Sequence, residues 1–397
     1  MVNAFLVISL FLFLPMLIYW LLLALAAVRP ARSLPVNNWT PSNRFAITIP
    51  AHDEANVIKS TVQELLKQNY PAELFSINIV ADHCTDHTAQ AACLAGAVVY
   101  ERNEGPRTGK GAALAWVIPQ ILQNNSINAV VIFDADTRVD PDFLRAMDIR
   151  LQQGSQVVQG QHIIANPDQG WFPALTWAMF IIDNRFQNLG RTNLGWSAKN
   201  MGDSICLQTD VLRLVNWESG LTEDYQLRCS LLLKNIKISY EPAARGYGEA
   251  PLTWGQARNQ RARWLRGTRD SNQRYARLLL AKAVHNRDGA LLDGALQAYL
   301  PVYSSLALLS LLFFLVSCLA YLWLDTPAWL PLVWGWIVGV LFLYPLFGLF
   351  LERAPLKAFL VIISGPFYIF WRTSLAFTAR FIEKQREWIR TTHGAPK

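Results

Sequence analysis

The two ends of this 397-residue chain are apolar, whereas its middle alternates short apolar runs with polar segments. Between residues 2 and 28, Asn3 and Ser9 are the only polar side chains apart from the interfacial aromatic pair Tyr19 and Trp20. A run of this length is sufficient to cross a hydrocarbon core of about 30 Å. Residues 1–28 are therefore predicted to form an N-terminal transmembrane helix.

A cleaved signal peptide is the alternative for this run, because Ala24-Leu25-Ala26 resembles a cleavage site. No basic residue precedes the run, and it exceeds the ~7 to 15 apolar residues of a signal peptide. We therefore expect an uncleaved anchor. Arg29 and Arg32 follow it directly, so the positive-inside rule predicts an external N-terminus and a cytoplasmic chain from about residue 30.

A C-terminal membrane region is predicted over residues 298–380. It contains two runs long enough to span, 298–324 and 329–351, joined by a loop that should be external because Asp325 is its only charge.

A third apolar run, within residues 356–376, is interrupted by Gly365 and Pro366 and is too short to be assigned as a span. We expect it to be interfacial or re-entrant, since this keeps the basic tail at residues 381–397 in the cytoplasm. A full crossing, which would place the tail outside, is the alternative.

The soluble middle, residues 33–257, alternates strand and helix patterns. Apolar, β-branched runs predict strands over 45–50, 76–81, 97–100, 129–133 and 156–160, and helical periodicity covers 54–68 and 109–122. Repeated β-α-β order predicts an α/β fold, with a mostly parallel sheet and helices on both faces.

Polar residues follow these strands at the points where the strands end. In such sheets, ligands bind outside the carboxyl ends of the strands. The candidates there are His52, Asp53 and Glu54 after the first strand, Asp82 after the second, and Asp134 and Asp136 after the fourth.

The triplet Asp134-Ala135-Asp136 places two carboxylates at a strand exit. Such a pair is costly without a cation, and Mg²⁺ or Mn²⁺ characteristically binds one or two carboxylates together with substrate phosphates. The chemistry that needs this arrangement is the departure of a diphosphate, whose growing negative charge must be offset. Alone the D-x-D pattern is weak, because loops also contain it by chance.

Two further residues have a functional and a structural interpretation. Asp82 could cap the helix that follows it, but Asp86 is the better cap, which favours a ligand role for Asp82. Lys110, within Thr108-Gly109-Lys110-Gly111, resembles part of a phosphate loop without completing the P-loop pattern, and a solvated loop lysine is the alternative.

A second acidic triplet, Thr222-Glu223-Asp224, precedes a helical pattern, and by itself it would be interpreted as a helix cap. The later motif changes the balance. Gln260, Arg263 and Trp264 place an amide, a guanidinium and an indole at helical spacing, suited to holding a diphosphate and stacking on a sugar ring. The structural alternative there is an exposed basic helix.

The net charge of +7 does not require nucleic acid, because much of the basic excess lies beside apolar segments. Residues 258–297 combine the Gln260 motif with amphipathic helices, and anionic lipid headgroups are the simpler partner. Leucines among the arginines favour a helix in the membrane interface, namely Leu278, Leu279, Leu280, Leu291, Leu292 and Leu296. A helix docked on the soluble domain is the alternative.

The five cysteines show no C-x-x-C spacing, so we expect reduced thiols and no zinc site. The run from His83 to His87 contains two histidines and a cysteine, yet it follows a strand, where the i,i+4 spacing would not face both histidines to one ion.

In combination these motifs closely resemble the membrane-bound processive branch of glycosyltransferase family 2, which includes the synthases of cellulose, chitin, hyaluronan and poly-N-acetylglucosamine. The ordered family pattern is a D, a D-x-D, a T-E-D and a Q-x-x-R-W, and each element occurs here in order over nearly the whole chain. The resemblance implies a glycosyltransferase-A-like domain flanked by transmembrane helices.

The resemblance also implies residue roles. Pro50-Ala51-His52-Asp53-Glu54 stands where the family often has P-A-Y-N-E, and with Asp82 it would hold the base and ribose of a UDP-sugar. Asp134 and Asp136 would hold Mg²⁺ or Mn²⁺ on the diphosphate. Asp224 would be the general base, with Glu223 beside it, and Gln260, Arg263 and Trp264 would contact the diphosphate and the acceptor.

One feature departs from the family pattern, and another is a further similarity. Ala81-Asp82-His83-Cys84 replaces the common D-D-G-S run, which leaves one carboxylate for base recognition. Trp388-Ile389-Arg390-Thr391-Thr392 is similar to a loop that closes over the nucleotide in some relatives.

The implied reaction is an inverting transfer at the bacterial inner membrane from a UDP-sugar to a growing β-linked exopolysaccharide, with accessory secretion subunits as possible partners. A single addition to a lipid such as ceramide or a polyprenyl phosphate is the alternative, and a catalytically silent nucleotide sensor is a third hypothesis. Nucleic acid is not an expected partner.

Overall fold

The computed structural model describes residues 1–32, 34, 39–215, 217 and 222–378. One eight-stranded sheet forms the centre of the soluble part, in the order β3-β2-β1-β4-β7-β6-β8-β5. Its strands are β1 (Phe45–Ala51), β2 (Phe75–Asp82), β3 (Val98–Arg102), β4 (Ala129–Ile132), β5 (Arg138–Val139), β6 (Val157–Ile164), β7 (Ile205–Gln208) and β8 (Ile238–Gly248).

Helices account for most of the remaining described chain. Those of the soluble part are α2 (Ala55–Leu65), α3 (Thr88–Leu94), α4 (Lys110–Ile121), α5 (Phe143–Gln152), α6 (Trp171–Ile182), a π-helical segment (Asp183–Gly190), α7 (Arg191–Asn193), α8 (Thr209–Leu214), α9 (Glu223–Leu233), α10 (Trp254–Asn286) and α11 (Gly289–Tyr299). The apolar helices at the two ends are α1 (Val2–Val28), α12 (Tyr303–Trp323), α13 (Trp329–Leu351), α14 (Leu356–Ile363) and α15 (Gly365–Thr378).

The predicted α/β fold is confirmed, with a sheet that is more mixed than expected. β1 pairs in parallel with β2 and β4, β2 with β3, and β6 with β8. β7 is antiparallel to β4 and β6, and β5 is antiparallel to β8, which gives four parallel and three antiparallel pairings among the described strands. The short strand β7 follows an irregular segment after α7 and runs antiparallel to its neighbours, so the expectation of parallel β-α-β units did not reveal it.

The alternating side chains of β1 supply two separate apolar cores. Phe45, Ile47 and Ile49 pack on one face against α2 and α5. Ala46 faces the other side and joins the core formed with α4 and α9. This period of two follows from strand geometry, and it confirms that helices cover both faces of the sheet.

The carboxyl ends of β1 and β2 each turn through a residue with a left-handed backbone. Asp53 has φ of 53° and His83 has φ of 51°, a conformation that non-glycine residues rarely adopt. Strained positions of this kind cluster where a site demands a particular backbone path. Both lie at the edge of the sheet where the sequence predicts a ligand.

Among the described residues, three helices are long and apolar enough to cross a membrane by length and composition, namely α1, α12 and α13. The second starts later than predicted, since residues 298–302 form the end of α11 and a link containing Pro301, which cannot continue a helix. The Thr326 hydroxyl donates to Asn3 Oδ1 at 2.7 Å, so the chain start and the α12–α13 loop lie at the same end of the bundle.

The apolar segment after α13 is broken, as expected from Gly365 and Pro366. α14 and α15 meet at a bend of 52°, which is compatible with a broken span or a re-entrant loop. The interfacial or re-entrant placement stays a prediction. The tail at residues 381–397, with its Trp388 motif, lies outside the described residues.

The amphipathic stretch between the soluble and membrane parts is partly docked on the soluble domain. Leu279 and Leu291 are buried against Cys229 and Leu232 of α9, whereas Leu278 and Leu292 are exposed. One face of this stretch therefore packs as the docked alternative predicts, and the exposed leucines are those left for a lipid surface. The interfacial location itself remains a prediction.

Candidate active site

A single cavity of about 230 Å³ lies at the carboxyl edge of β1, β2 and β4. Asp82, Asp136 and Asp224 line it together, although they are far apart along the chain. The other predicted site residues that line it are Ala51, His52, Glu54, Lys110, Asp134, Glu223, Gln260, Arg263 and Trp264. The four separate motifs therefore form one site.

Asp82 is held by a guanidinium from the neighbouring strand. Asp82 and Arg102 are register partners of β2 and β3, and Arg102 Nη1 lies 2.5 Å from Asp82 Oδ1. His83 Nδ1 lies 2.8 Å from the same oxygen. Both Asp82 and Arg102 are buried, so the carboxylate is fixed in one orientation. The sequence contained no separate signal for Arg102, because its role depends on strand register.

In the segment after β1, His52 forms part of the cavity wall and Asp53 stabilises a turn behind it. His52 lines the cavity, and its Nδ1 lies 2.8 Å from the Asp82 carbonyl oxygen. Asp53 is not among the lining residues; its carboxylate accepts hydrogen bonds from the Thr85 amide at 2.7 Å and the Asp86 amide at 3.3 Å. Burial would raise the pKa of Asp53, but the Thr85 hydrogen bonds outweigh it and lower that pKa. The structure thus places Asp53 in a turn behind the wall, whereas the sequence analysis grouped it with the residues that contact the donor.

Asp86 is a capping residue, as the sequence predicted. Its carboxylate accepts from the Thr88 amide at 2.9 Å at the start of α3 and from the Ala55 amide at 3.1 Å at the start of α2. These bonds satisfy helix N-terminal amides that have no partner within the helix. Asp82 is consequently left for the cavity.

Lys110 reaches the acidic pair from the first position of α4. Its Nζ lies 2.5 Å from Asp134 Oδ1 and donates to the Gly202 carbonyl oxygen at 2.6 Å. Burial would lower the pKa of Lys110, but the carboxylates of Asp134 and Asp203 outweigh it, and the pKa is raised. The lysine is therefore a fixed positive charge at the D-x-D motif rather than a solvated loop side chain.

Asp203 stabilises the D-x-D turn through hydrogen bonds, although the sequence contained no signal for it. Its Oδ1 accepts from the Asp134 amide at 3.1 Å and from the Thr137 hydroxyl at 3.2 Å, while Oδ2 lies 2.8 Å from His162 Nδ1. Burial would raise the pKa of Asp203, but the hydrogen bond and charge of His162, the nearby Lys110 and the Asp134 amide together lower that pKa. Asp203 therefore stays ionised and orders the loop that carries Asp134.

The donor set at the D-x-D motif fits a divalent cation. Asp134 and Asp136 present carboxylate oxygens to the same cavity, and hard oxygen donors are the preferred ligands of Mg²⁺ and Mn²⁺. The Lys110 ammonium already paired with Asp134 shows that this corner of the cavity favours positive charge.

Glu223 and Asp224 lie in the first turn of α9, so the predicted helix cap and the predicted site coincide. Burial, reinforced by the neighbouring Asp224, raises the pKa of Glu223 to about 7. Burial also raises the pKa of Asp224. A carboxylate with a raised pKa at the start of a helix and on a cavity wall is suited to accept a proton near neutral pH.

The helix α10 brings the last motif to the opposite wall. Thr253 and Gln256 form a capping box, with the Gln256 amide donating to Thr253 Oγ1 at 3.3 Å, and this starts the helix just before the motif. Gln260, Arg263 and Trp264 then share the cavity face at the predicted spacing. The capping box was present in the sequence and could have located the helix start.

Several lining residues were not predicted. They include Arg107 before α4, Met201 and Gly202 before β7, and Glu249 after β8. Each lies in a connecting segment without periodicity, so only the folded chain brings them together.

Three potential metal ligands approach one another behind the wall. Ligand atoms of His52, Asp53 and Cys84 all lie within 4.8 Å of one another. Burial raises the pKa of the Cys84 thiol, which disfavours the thiolate that a metal needs, and Asp53 is engaged by the Thr85 amide. Both features disfavour a metal ion at these three residues.

Family models and curated proteins place the chain among glycosyltransferases. The model described as "Glycosyl transferase family group 2" matches residues 129–375, and that described as "Glycosyl transferase family 2" matches residues 46–208. A β-monoglucosyldiacylglycerol synthase of Synechocystis is 26% identical over 381 residues, covering 89% of this chain and 76% of that protein.

Two further curated relatives match over less of their length. The probable glycosyltransferase YdaM of Bacillus subtilis is 24% identical, covering 67% of this chain and 66% of that protein. A poly-β-1,6-N-acetyl-D-glucosamine synthase of Staphylococcus epidermidis is 26% identical, covering 56% of this chain and 54% of that protein.

A solved structure shows the same fold. The mannosyltransferase PcManGT of Pyrobaculum calidifontis, in complex with GDP-Man and Mn²⁺, superposes with a TM-score of 0.57 at 18% identity, covering 96% of this chain and 98% of that one. With the D-x-D, T-E-D and Q-x-x-R-W motifs meeting in one cavity of this fold, and a family model matching residues 129–375, the chain belongs to glycosyl transferase family group 2.

Proposed function

We propose that the protein is a membrane-embedded inverting glycosyltransferase that moves a sugar from a UDP-sugar to the hydroxyl of a growing β-linked polysaccharide. The observation that carries the proposal is the convergence of Asp82, Asp136, Asp224 and Arg263 on one cavity. This set contains the groups that a single displacement needs, namely a nucleotide-binding carboxylate, a diphosphate site and a base.

Asp224 is the proposed general base. It takes the proton from the acceptor hydroxyl, whose oxygen attacks the anomeric carbon on the side opposite the departing UDP. An α-linked donor therefore gives a β-linked product. Burial favours the proton on Asp224, which strengthens it as a base relative to an exposed aspartate. A positioned base typically contributes about 10² to 10⁴-fold.

The donor end of the cavity is proposed to lie between β1 and β2. Asp82, fixed by Arg102, and the adjacent His52 provide a carboxylate and an imidazole for uracil and ribose. Lys110 and Arg263 supply cationic donors for the diphosphate. Asp134 and Asp136 would hold a divalent cation, which when bound offsets the charge of the leaving diphosphate.

The acceptor end is proposed to lie at Gln260 and Trp264. An indole on the cavity wall is suited to stack on the apolar face of a sugar ring. Beside the motif, Ala262 of the same helix packs against Leu375 of α15, so an acceptor in this position would be held at the membrane face of a cytoplasmic domain in the inner membrane.

Single transfer to a lipid is the second candidate. It is favoured by the match to a glycolipid synthase over 89% of this chain, against 56% for the polysaccharide synthase. Both candidates use the same donor site and base. They differ in whether the product returns as the next acceptor.

The proposal is tested with purified full-length protein in lipid nanodiscs. Release of UDP is measured for UDP-glucose, UDP-N-acetylglucosamine and UDP-galactose with Mn²⁺, with GDP-mannose as the competing donor class. The labelled product is then sized. A product of many residues supports the polymerase, and a single sugar on lipid supports the second candidate. No transfer from any UDP-sugar, with turnover of GDP-mannose, would overturn the proposed donor.

A further inference from the structure

Three fully buried charges lie between the first helix and the soluble domain. Asp293 of α11 accepts from Arg191 Nε at 2.9 Å and from Arg228 Nη2 at 2.9 Å. The Tyr19 hydroxyl of α1 donates to Asp293 Oδ1 at 2.7 Å. All three charged side chains are at most 1% exposed. This cluster, called here the Asp293 node, joins four segments that are distant in sequence.

Stability alone does not account for the Asp293 node. Two guanidinium groups share one carboxylate, and burying ions costs free energy that well-packed apolar residues of the same volume would not incur. The node is nevertheless completely hydrogen-bonded around Asp293, and the two arginines hold the pKa of Asp293 low although burial alone would raise it. What such a network provides beyond an apolar core is one defined arrangement of its partners.

Arg228 connects the node to the cavity. It lies on α9, one helical turn after Asp224, and donates to the carbonyl oxygens of Ala198 at 2.8 Å and Ser197 at 3.0 Å. It also donates to Gln297 Oε1 at 2.6 Å. The Arg228 guanidinium thereby holds α9, which carries the proposed base, against the irregular segment 197–202. This segment continues to Met201 and Gly202 in the cavity wall.

That segment ends in contacts with the proposed chemistry. Asn200 Nδ2 donates to the Asp224 carbonyl oxygen at 3.1 Å, and Asn200 Oδ1 accepts from the Gly202 amide at 2.9 Å. The Gly202 carbonyl oxygen accepts from Lys110 Nζ at 2.6 Å. Hydrogen bonds joined by the backbone of residues 197–202 therefore connect Asp293 with both the base and the lysine at the D-x-D motif.

The membrane side of the node is equally close-packed. A Cβ built on Gly190 would lie 2.6 Å from the Leu23 carbonyl oxygen, so α1 contacts the π-helical segment at backbone distance. Asn193 Nδ2 donates to the carbonyl oxygens of Ala26 and Arg29 at 2.9 Å. The end of α1 is thus part of the same rigid unit as Arg191.

We propose that Asp293 is a positioning residue, which through Arg228 and Arg191 sets the placement of Asp224 relative to the donor site and couples that placement to the first transmembrane helix. This inference rests on the proposed function, because Asp224 is taken as the base. It concerns alignment of the base and not binding of the donor.

The test measures kcat and donor affinity separately in the full-length protein. Arg228→Lys keeps the positive charge beside Asp293 but cannot donate at once to Ser197, Ala198 and Asp293. Tyr19→Phe removes one hydroxyl and leaves both ion pairs. Asp293→Asn removes the carboxylate. The donor is the UDP-sugar with the fastest UDP release, and binding is measured with UDP and Mn²⁺ by calorimetry.

Two control variants match the substitutions outside the node. Asp288→Asn changes the residue that caps α11 through the Ala290 and Leu291 amides, so it perturbs the same helix without touching the node. Arg213→Lys repeats the arginine change at an exposed pair with Asp210.

We expect Arg228→Lys to lower kcat about 10- to 100-fold, the scale of a base displaced by about 1 Å, while the Kd for UDP stays within about twofold. Tyr19→Phe should lower kcat by a smaller factor, and both controls should keep it. Combining Asp293→Asn with Arg228→Lys should lower kcat no further than the worse single variant, because both act through one contact.

The proposal is overturned if folded Arg228→Lys keeps its kcat, or if kcat, UDP affinity and thermal stability fall together as in general unfolding. Arg228→Lys decides the question should Asp293→Asn fail to fold. Asp224→Asn distinguishes failure of the proposed base from failure of the positioning role. If it turns over normally, the proposed base is wrong; if it is inactive while Arg228→Lys is fully active, only the positioning role fails.

Discussion

The guanidinium carbon of Arg261 lies 4.3 Å from the ring centroid of Trp264, the indole on the acceptor wall of the cavity. Arg261 is buried, and its Nε and Nη2 have no hydrogen-bond partner among the described residues. Burial lowers the pKa of this guanidinium, as expected for a cation removed from water without a carboxylate. Within the described part of the chain, the ring of Trp264 is therefore the contact that this charge makes in place of an ion pair.

We predict that Arg261→Met weakens binding of the acceptor and leaves binding of the donor nucleotide unchanged. A buried cation–π contact contributes about 0.5 to 2 kcal/mol, so losing it from the Trp264 platform should raise the KM for the acceptor about 2- to 30-fold. The Kd for UDP should not change. Arg258→Met, on an exposed position of the same helix, is the control. An unchanged acceptor KM in Arg261→Met would contradict a platform role for this pair.

Asp136→Ala should abolish the metal dependence of nucleotide binding. With Mn²⁺ present, we expect UDP to bind about 10- to 100-fold more weakly. Substituting residues that only support metal ligands typically costs about this factor, and loss of a direct ligand should cost at least as much. Addition of EDTA should weaken UDP binding to the unchanged protein and leave the variant as it was. The measurement is titration calorimetry, with the exposed Asp210→Ala as the control. Equal sensitivity of both proteins to EDTA would exclude Asp136 from the metal site.

Transfer should require deprotonated carboxyl groups and should therefore fall on the acid side of neutrality. Burial raises the pKa of Asp224 and, with Asp224 nearby, that of Glu223 to about 7. Since a base acts in its deprotonated form, kcat should rise with pH and level off once the raised pKa of Asp224 has been passed. Glu223→Gln removes one of the two carboxyl groups, so the acid limb of the profile should move to lower pH. A profile that is flat between about pH 5 and about pH 8 would contradict the assignment.

The same carboxyl groups should affect stability in the opposite sense. A folded-state pKa that lies above the ordinary value of 4.5 means that the folded protein binds this proton more tightly than the unfolded chain. The contribution of Glu223 to the free energy of unfolding therefore decreases as pH rises from about 4.5 towards about 7. Thermal unfolding of Glu223→Gln across this range should lack that decrease.

Gly190→Ala should separate α1 from the π-helical segment. The added methyl group would lie 2.6 Å from the Leu23 carbonyl oxygen, a backbone atom that cannot move independently. Overpacking of this kind costs typically about 1 to 3 kcal/mol, so the thermal midpoint should fall. Gly255→Ala is the matched control, because a Cβ there meets nothing within 4 Å and the residue lies in the first turn of α10. If the two variants unfolded alike, the close approach of α1 would not matter for stability.

The local pattern of the chain was sufficient for the parts of the fold that repeat at a fixed period. Hydrophobic periodicity in neighbouring residues was sufficient to predict three strands and two helices, namely β1, β2, β4, α2 and α4. The strand exits then placed His52, Asp82 and Asp136 at one edge, since parallel strands end on the same side of a sheet. The family motifs added Asp224 and Trp264, whose own local pattern is that of an ordinary helix.

The tertiary structure alone decided how distant residues support the site. Arg102 is fixed on Asp82 by strand register, Asp203 orders the D-x-D turn from an irregular loop, and Tyr19 reaches Asp293 across 274 residues. Asp53 looked equivalent to its neighbours in sequence, yet its left-handed backbone turns the side chain towards Thr85. Periodicity reports which face of an element is buried and not what it is buried against, so these contacts become defined only when the whole chain has packed.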